Sequence, residues 1–149
     1  MKIDDRTEAL VRTVLDAVVH RNPAGFEKSV SDLEGKVGLR AGIELAAAIC
    51  AFVLFDVYEG LPSEEQIVDL AVDMERQEQW MAPDRGEIGS YVRALVHRQP
   101  LEGALTEEGV VVIPWLVAAN LLTTASQPEQ GEWWFNYLDK VEAAIEAAG

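Results

Sequence analysis

Cysteine and histidine are almost absent from this sequence, and their scarcity removes whole classes of chemistry. The single cysteine, Cys50, has no partner for an internal disulfide, which fits a reducing compartment. It lies in an apolar run, where desolvation raises a thiol's pKa and makes it a poor nucleophile. One such cysteine does not build a zinc site, and no His-Glu-x-x-His pattern is present. The two histidines, His20 and His97, belong to no Glu-x-x-His motif of the kind that binds two irons in a four-helix bundle. Phosphate-binding loops and Gly-x-Gly-x-x-Gly runs are missing as well. No cofactor is expected.

Long apolar runs are also lacking. The longest, Leu45 to Phe55, has eleven residues between Glu44 and Asp56, whereas a bilayer span needs about 20. It reads as a buried helix. The start, Met1-Lys2-Ile3-Asp4-Asp5-Arg6, puts acids where a secretory signal carries a basic residue and an apolar stretch. The expectation is a cytoplasmic chain with no membrane contact.

Positive charge is the third shortage. Twelve Lys and Arg face twenty-six Asp and Glu, a net charge of −14. The imbalance is local: residues 1–40 are neutral, while 41–89 carry eleven acids against Arg76 and Arg85 alone. Such a field repels nucleic acid and anionic lipid and attracts a basic surface. An acidic surface also serves solubility alone, and the sequence leaves both roles open.

What the chain does have is helical periodicity, punctuated by proline and glycine. Leu10, Val11, Val14, Leu15, Val18 and Val19 form a stripe over about 4–21. Asn22-Pro23 reads as an N-cap and first-turn proline, and Phe26, Val30, Leu33 and Val37 follow before Gly38. Residues 41–59 are apolar nearly all round, so that helix must be covered on most sides. Capping-box patterns at Ser63-Glu64-Glu65-Gln66 and Asp84-Arg85-Gly86-Glu87 open helices reaching about Met81 and Arg98. A last helix over about 130–147 presents Trp134, Tyr137, Leu138, Val141 and Ile145.

Residues 106–125 admit two readings. Thr106-Glu107-Glu108 resembles a helix start, yet Val110-Val111-Val112-Ile113 is β-branched and Pro114 follows. A helix passing through Pro114 is favoured, because a lone strand has no partner here. The fold class is therefore all-α: a single domain over 1–149, a bundle of about seven helices with those near 41–59 and 106–125 central. A shift of 67 residues also lays Ile49–Phe55 over Leu116–Leu122, an echo that an internal duplication would leave but that two alanine-rich buried helices also produce by composition.

Candidate contact residues come from the acids and the tryptophans. Asp69 and Asp73 stand one turn apart, and Glu75 and Glu78 make a Glu-x-x-Glu pair. All-helical nucleotide pyrophosphatases hold magnesium between two such motifs, but the later Glu-x-x-Asp is missing here. A solvated acidic face fits the pattern better. Trp133-Trp134-Phe135 spans about 200° of a helix, so at least one ring should reach the rim unless the helix is docked on two sides. Trp80 poses the same question on a more acidic background. These residues favour a non-enzymatic protein-binding module engaging a basic partner through Glu64, Glu65, Asp69, Asp73, Trp80 and Trp133. Its size and charge resemble those of immunity proteins, inhibitors and adaptors. A homo-oligomeric scaffold and a small-ligand binder or metal-dependent helical enzyme are the alternatives.

Overall fold

In a computed structural model, which describes residues 1–149, the chain is entirely helical. The seven helices are α1 (Asp5–Val19), α2 (Pro23–Lys36), α3 (Leu39–Tyr58), α4 (Glu64–Gln77), α5 (Arg85–Val96), α6 (Glu107–Ala125) and α7 (Trp134–Ala147). Single 3-10 turns at Gln79–Met81 and Pro128–Gln130 precede α5 and α7.

Five of the helices begin on a side chain that takes up an orphan N–H. Asp4 accepts from Thr7 N at 2.9 Å, Asn22 from Gly25 N at 3.0 Å and Thr106 from Gly109 N at 3.0 Å. Ser63 and Gln66 form the full reciprocal box. Asp84 makes only half of one, accepting from Glu87 N at 3.0 Å. The Glu87 carboxylate turns away and accepts from Thr106 N at 2.9 Å, tying the start of α5 to the start of α6. Gly38 separates α2 from α3 at φ 92°, a conformation that a side chain would strain.

Two boundaries differ from the periodicity. The apolar pattern predicts the fourth helix to run to Met81, but α4 stops at Gln77 because Glu78 turns inward and the chain tightens into a 3-10 turn. The last helix starts at Trp134 instead of about 130, with Asn136 capping Trp133 N at 3.0 Å. The ambiguous stretch resolves as helix: α6 is continuous through Pro114. Proline supplies no N–H, so the Val110 carbonyl has no donor at that step.

α6 is the most deeply buried element, with every residue from Ile113 to Leu122 inside. It packs against α1, α3, α5 and α7, and its most extensive partner is α3. α3 also touches α1, α2, α5 and α7. Both helices are long and apolar enough to cross a membrane by length and composition alone. In α6 most residues of that stretch are buried in the bundle, while in α3 fewer than half are. Cys50 and Asp56 mark the sides of α3: the Tyr91 hydroxyl of α5 lies 3.9 Å from Cys50 Sγ, and the Tyr137 hydroxyl of α7 donates to Asp56 at 2.6 Å. The remaining face is uncovered, and Phe55 is 58 % exposed there. The sequence echo does not extend to packing, since α4 lies chiefly on α5 whereas α7 lies on α3 and α6.

Gly42 allows α2, α3 and α6 to converge. A Cβ there would meet Leu33 Cδ2 at 2.5 Å and Trp115 Cη2 at 2.9 Å, and both side chains are fully enclosed. Gly42→Ala gains up to about 1 kcal/mol of helix propensity but overpacks the junction by about 1–3 kcal/mol. A net loss is expected, read as a lower urea midpoint at unchanged m-value. A midpoint at or above that of the parent would show that the junction yields.

Candidate functional site

The acids and tryptophans singled out from the sequence fall into separate neighbourhoods. Glu64 and Glu65 open α4. Glu64 is held by Arg93 of α5, with Nη2 at 2.6 Å and Nε at 2.7 Å, and this contact lowers its carboxyl pKa. Glu65, Asp69 and Asp73 form an exposed row at four-residue steps along α4. Glu65 and Asp69 make no ion pair, while Asp73 meets Arg76 at 3.3 Å. Beside this row stand Val68 and Val72, 44 % and 37 % exposed. The outer side of α4 therefore carries an acidic row and a short apolar row together.

Around the edge of α4, a cleft of about 250 Å³ opens toward the C-terminal turns of α3 and α6. Val57, Leu70, Leu121 and Ala125 supply its apolar walls, and Tyr58, Asp73, Gln77 and Asn120 its polar groups. Burial, then the charges of Asp73 and Asp69, push the Tyr58 hydroxyl above its ordinary pKa. It remains a neutral phenol at physiological pH, able to donate a hydrogen bond.

Behind the cleft lies a polar network that sequence reasoning missed. Asn120 Nδ2 donates to Gln77 Oε1 and to Glu78 Oε2, each at 2.9 Å. Trp80 Nε1 donates to Glu78 Oε1 at 2.8 Å. Glu78 and Asn120 are both buried, so the network pins the end of α4 to the middle of α6. Trp80 is half-buried and its indole N–H is engaged inside the protein. The Glu-x-x-Glu pair is split by the same arrangement: Glu75 faces outward to hold Arg85, with Nη2 at 2.9 Å, while Glu78 faces in. No group of three or more His, Cys, Asp or Glu side chains is disposed to hold a metal ion.

The aromatic triplet divides by position. Trp134 is 8 % exposed and Trp133, outside the helix as its N-cap, is 53 % exposed. Phe135 is also exposed and meets Trp134 edge-on, with ring centroids 5.8 Å apart. These two rings wall a broad groove of about 570 Å³ against Glu8, Arg12 and Asp16 of α1. Trp133 lies at the start of α7, which packs on α3 and α6.

Next to that groove is a second unanticipated cluster. Arg12 sits among three carboxylates, with Nε 2.7 Å from Glu8 and Nη2 2.8 Å from both Asp139 and Glu142. The Arg12–Glu8 spacing of four is visible in the sequence, but the two acids from α7 arrive only through the tertiary fold. Cys50 is sealed between Pro114 and Tyr91, and burial pushes its thiol up to about 12. His20 and His97 are the C-caps of α1 and α5, and His20 Nδ1 lies 2.8 Å from the Asp16 carbonyl oxygen.

No protein-family model, curated protein or solved structure matches this chain. The site must therefore be interpreted from its own geometry.

Burial first, then the charge of Glu8, pushes the Glu142 carboxyl from 4.5 up to about 7, with Arg12 opposing. Between those values the native state binds more of this proton than the unfolded chain does. The stability from this group is complete below pH 4.5 and is lost as pH rises through about 7. Glu142→Gln should match the parent near pH 5 and exceed it at pH 8 by about 1–3 kcal/mol, seen as a higher Tm. A variant less stable at pH 8 would mean that the Arg12 pairing outweighs desolvation and Glu8.

Proposed function

We propose that this chain is a non-enzymatic protein-binding module that engages a basic partner on the outer side of α4. The observation that carries this reading is the pairing of two rows on one helix. Glu65, Asp69 and Asp73 supply charge, and Val68 and Val72 supply apolar area, with Leu61 exposed just before the helix. An acidic row alone gives long-range attraction and a fast encounter, but little held affinity. An adjacent apolar row adds the short-range burial that keeps a partner in place. The complementary shape is an amphipathic helix with Lys or Arg beside Leu or Ile, docked along α4.

The local cations strengthen this reading. Arg93 and Arg85 are held by Glu64 and Glu75 on the α5 side, so they do not screen the row at positions 65, 69 and 73. Arg76 stands in it, paired with Asp73, and Arg21 donates to the Gln77 carbonyl at its C-terminal end. Trp133 belongs to a different surface and is no part of this docking face.

The test is a two-dimensional NMR titration with a Lys/Leu peptide that forms an amphipathic helix, against a scrambled peptide of the same composition. The helical peptide should bind more tightly, shift resonances of α4 preferentially and weaken as salt is raised. Asp69→Lys with Asp73→Lys should reduce its affinity at least about tenfold, a loss of 1.4 kcal/mol or more. Equal binding of both peptides, or shifts centred on α7, would reject the α4 assignment.

A further inference from the structure

Asp73 belongs to two features at once. It ends the exposed acidic row of α4, and with Leu70 and Gln77, at three- and four-residue steps, it walls the cleft of about 250 Å³ against α3 and α6. The apolar walls of that cleft come from Val57, Leu70 and Leu121. Three helices each add an oxygen that the bundle leaves uncommitted. Asp73 gives only Oδ1 to Arg76, at 3.3 Å, and keeps Oδ2. The Tyr58 hydroxyl, unlike those of Tyr91 and Tyr137, has no hydrogen-bond partner inside the protein. Asn120, 4 % exposed, spends both N–H groups on Gln77 and Glu78, which leaves its side-chain carbonyl as the group it can still offer.

We infer that this cleft receives the side chain of one arginine carried by the basic partner, an inference that rests on the α4 docking face proposed above. The aliphatic stem lies along Val57, Leu70 and Leu121, and the guanidinium meets Asp73 with the Tyr58 and Asn120 oxygens beside it. No Lys or Arg lines the cleft. Arg76 touches Asp73 from the exposed side, and Arg21 lies past Gln77, lining a separate cleft with Glu78. The negative field reaches inside, because the charges of Asp73 and Asp69 add to burial in raising the Tyr58 hydroxyl.

Other occupants fit these walls less well. An apolar side chain would cover Asp73 and Asn120 without pairing them, and burying unpaired polar groups is costly. A carboxylate would meet Asp73 and Asp69. A lysine shares the stem and the charge, but its ammonium is a strongly hydrated point with its donors at one atom. The guanidinium is more weakly hydrated, and its fork of five donors suits acceptors held on three helices. Its plane can also stack on the Tyr58 ring.

Two helical peptides of one pattern, Arg/Leu and Lys/Leu, test this by calorimetry and two-dimensional NMR on the intact chain. Arg/Leu should bind at least about fivefold more tightly, and it should shift Tyr58, Thr124 and Ala125 together with α4. Ala125→Leu fills the cleft from a half-buried position and leaves every acid in place. It should bring Arg/Leu down to the affinity of Lys/Leu. Tyr58→Phe removes a hydroxyl that nothing in the bundle uses, so it should keep its Tm and weaken Arg/Leu about threefold. Equal affinities in the parent, or Arg/Leu binding unchanged in both variants, would overturn the anchor and leave the α4 face standing. If neither peptide binds the parent, the face and the anchor fall together.

Discussion

The contact between α3 and α6 is the constraint on which the rest of the bundle depends. Each helix is too apolar to face water on all sides, and each supplies a continuous buried strip to the other. Burying one Leu or Ile contributes about 1.5–3 kcal/mol, and this pair buries Leu45, Ile49, Val53, Leu54, Ile113, Leu116, Leu121 and Leu122. The other helices then complete the enclosure of α6. Close approach demands small groups at the junctions, hence Gly42 against Trp115 and Cys50 against the Pro114 carbonyl. The thiol is there for its size, and its proton is held too firmly for ionic chemistry.

Around this apolar axis, the few cations are used locally. Arg12, Lys28, Arg40, Arg76, Arg85, Arg93 and Lys140 each lie against a carboxylate. Exposed pairs of this kind contribute about 0–1 kcal/mol each, so their energetic weight is modest. Their electrostatic consequence is larger, because most of the positive charge is neutralised where it stands. The unpaired acids, Glu65 and Asp69 among them, then set the field outside the molecule. Arg12 is the exception in kind. It joins α1 to α7 through three carboxylates, of which Glu142 has its carboxyl pKa raised, by burial first and by the charge of Glu8 next.

Local rules made most of the fold legible in the sequence. Stripes, prolines and capping residues locate seven helices, because each of those signals acts within one or two turns. One boundary, the end of α4, moved because a distant group intervened, whereas the start of α7 moved to a local cap, Asn136 on Trp133 N. Glu78 leaves the helical path to meet Asn120, 42 positions away, and Glu87 forsakes its own cap for Thr106. The site was legible only in part. The row Glu65, Asp69, Asp73 follows from periodicity, but the inward turn of Trp80 and the gathering of Glu8, Asp139 and Glu142 on Arg12 do not. Hydrophobicity alone also placed α3 at the centre without revealing its open side. A helix that is apolar all round states how much surface wants covering, not whether this chain alone covers it.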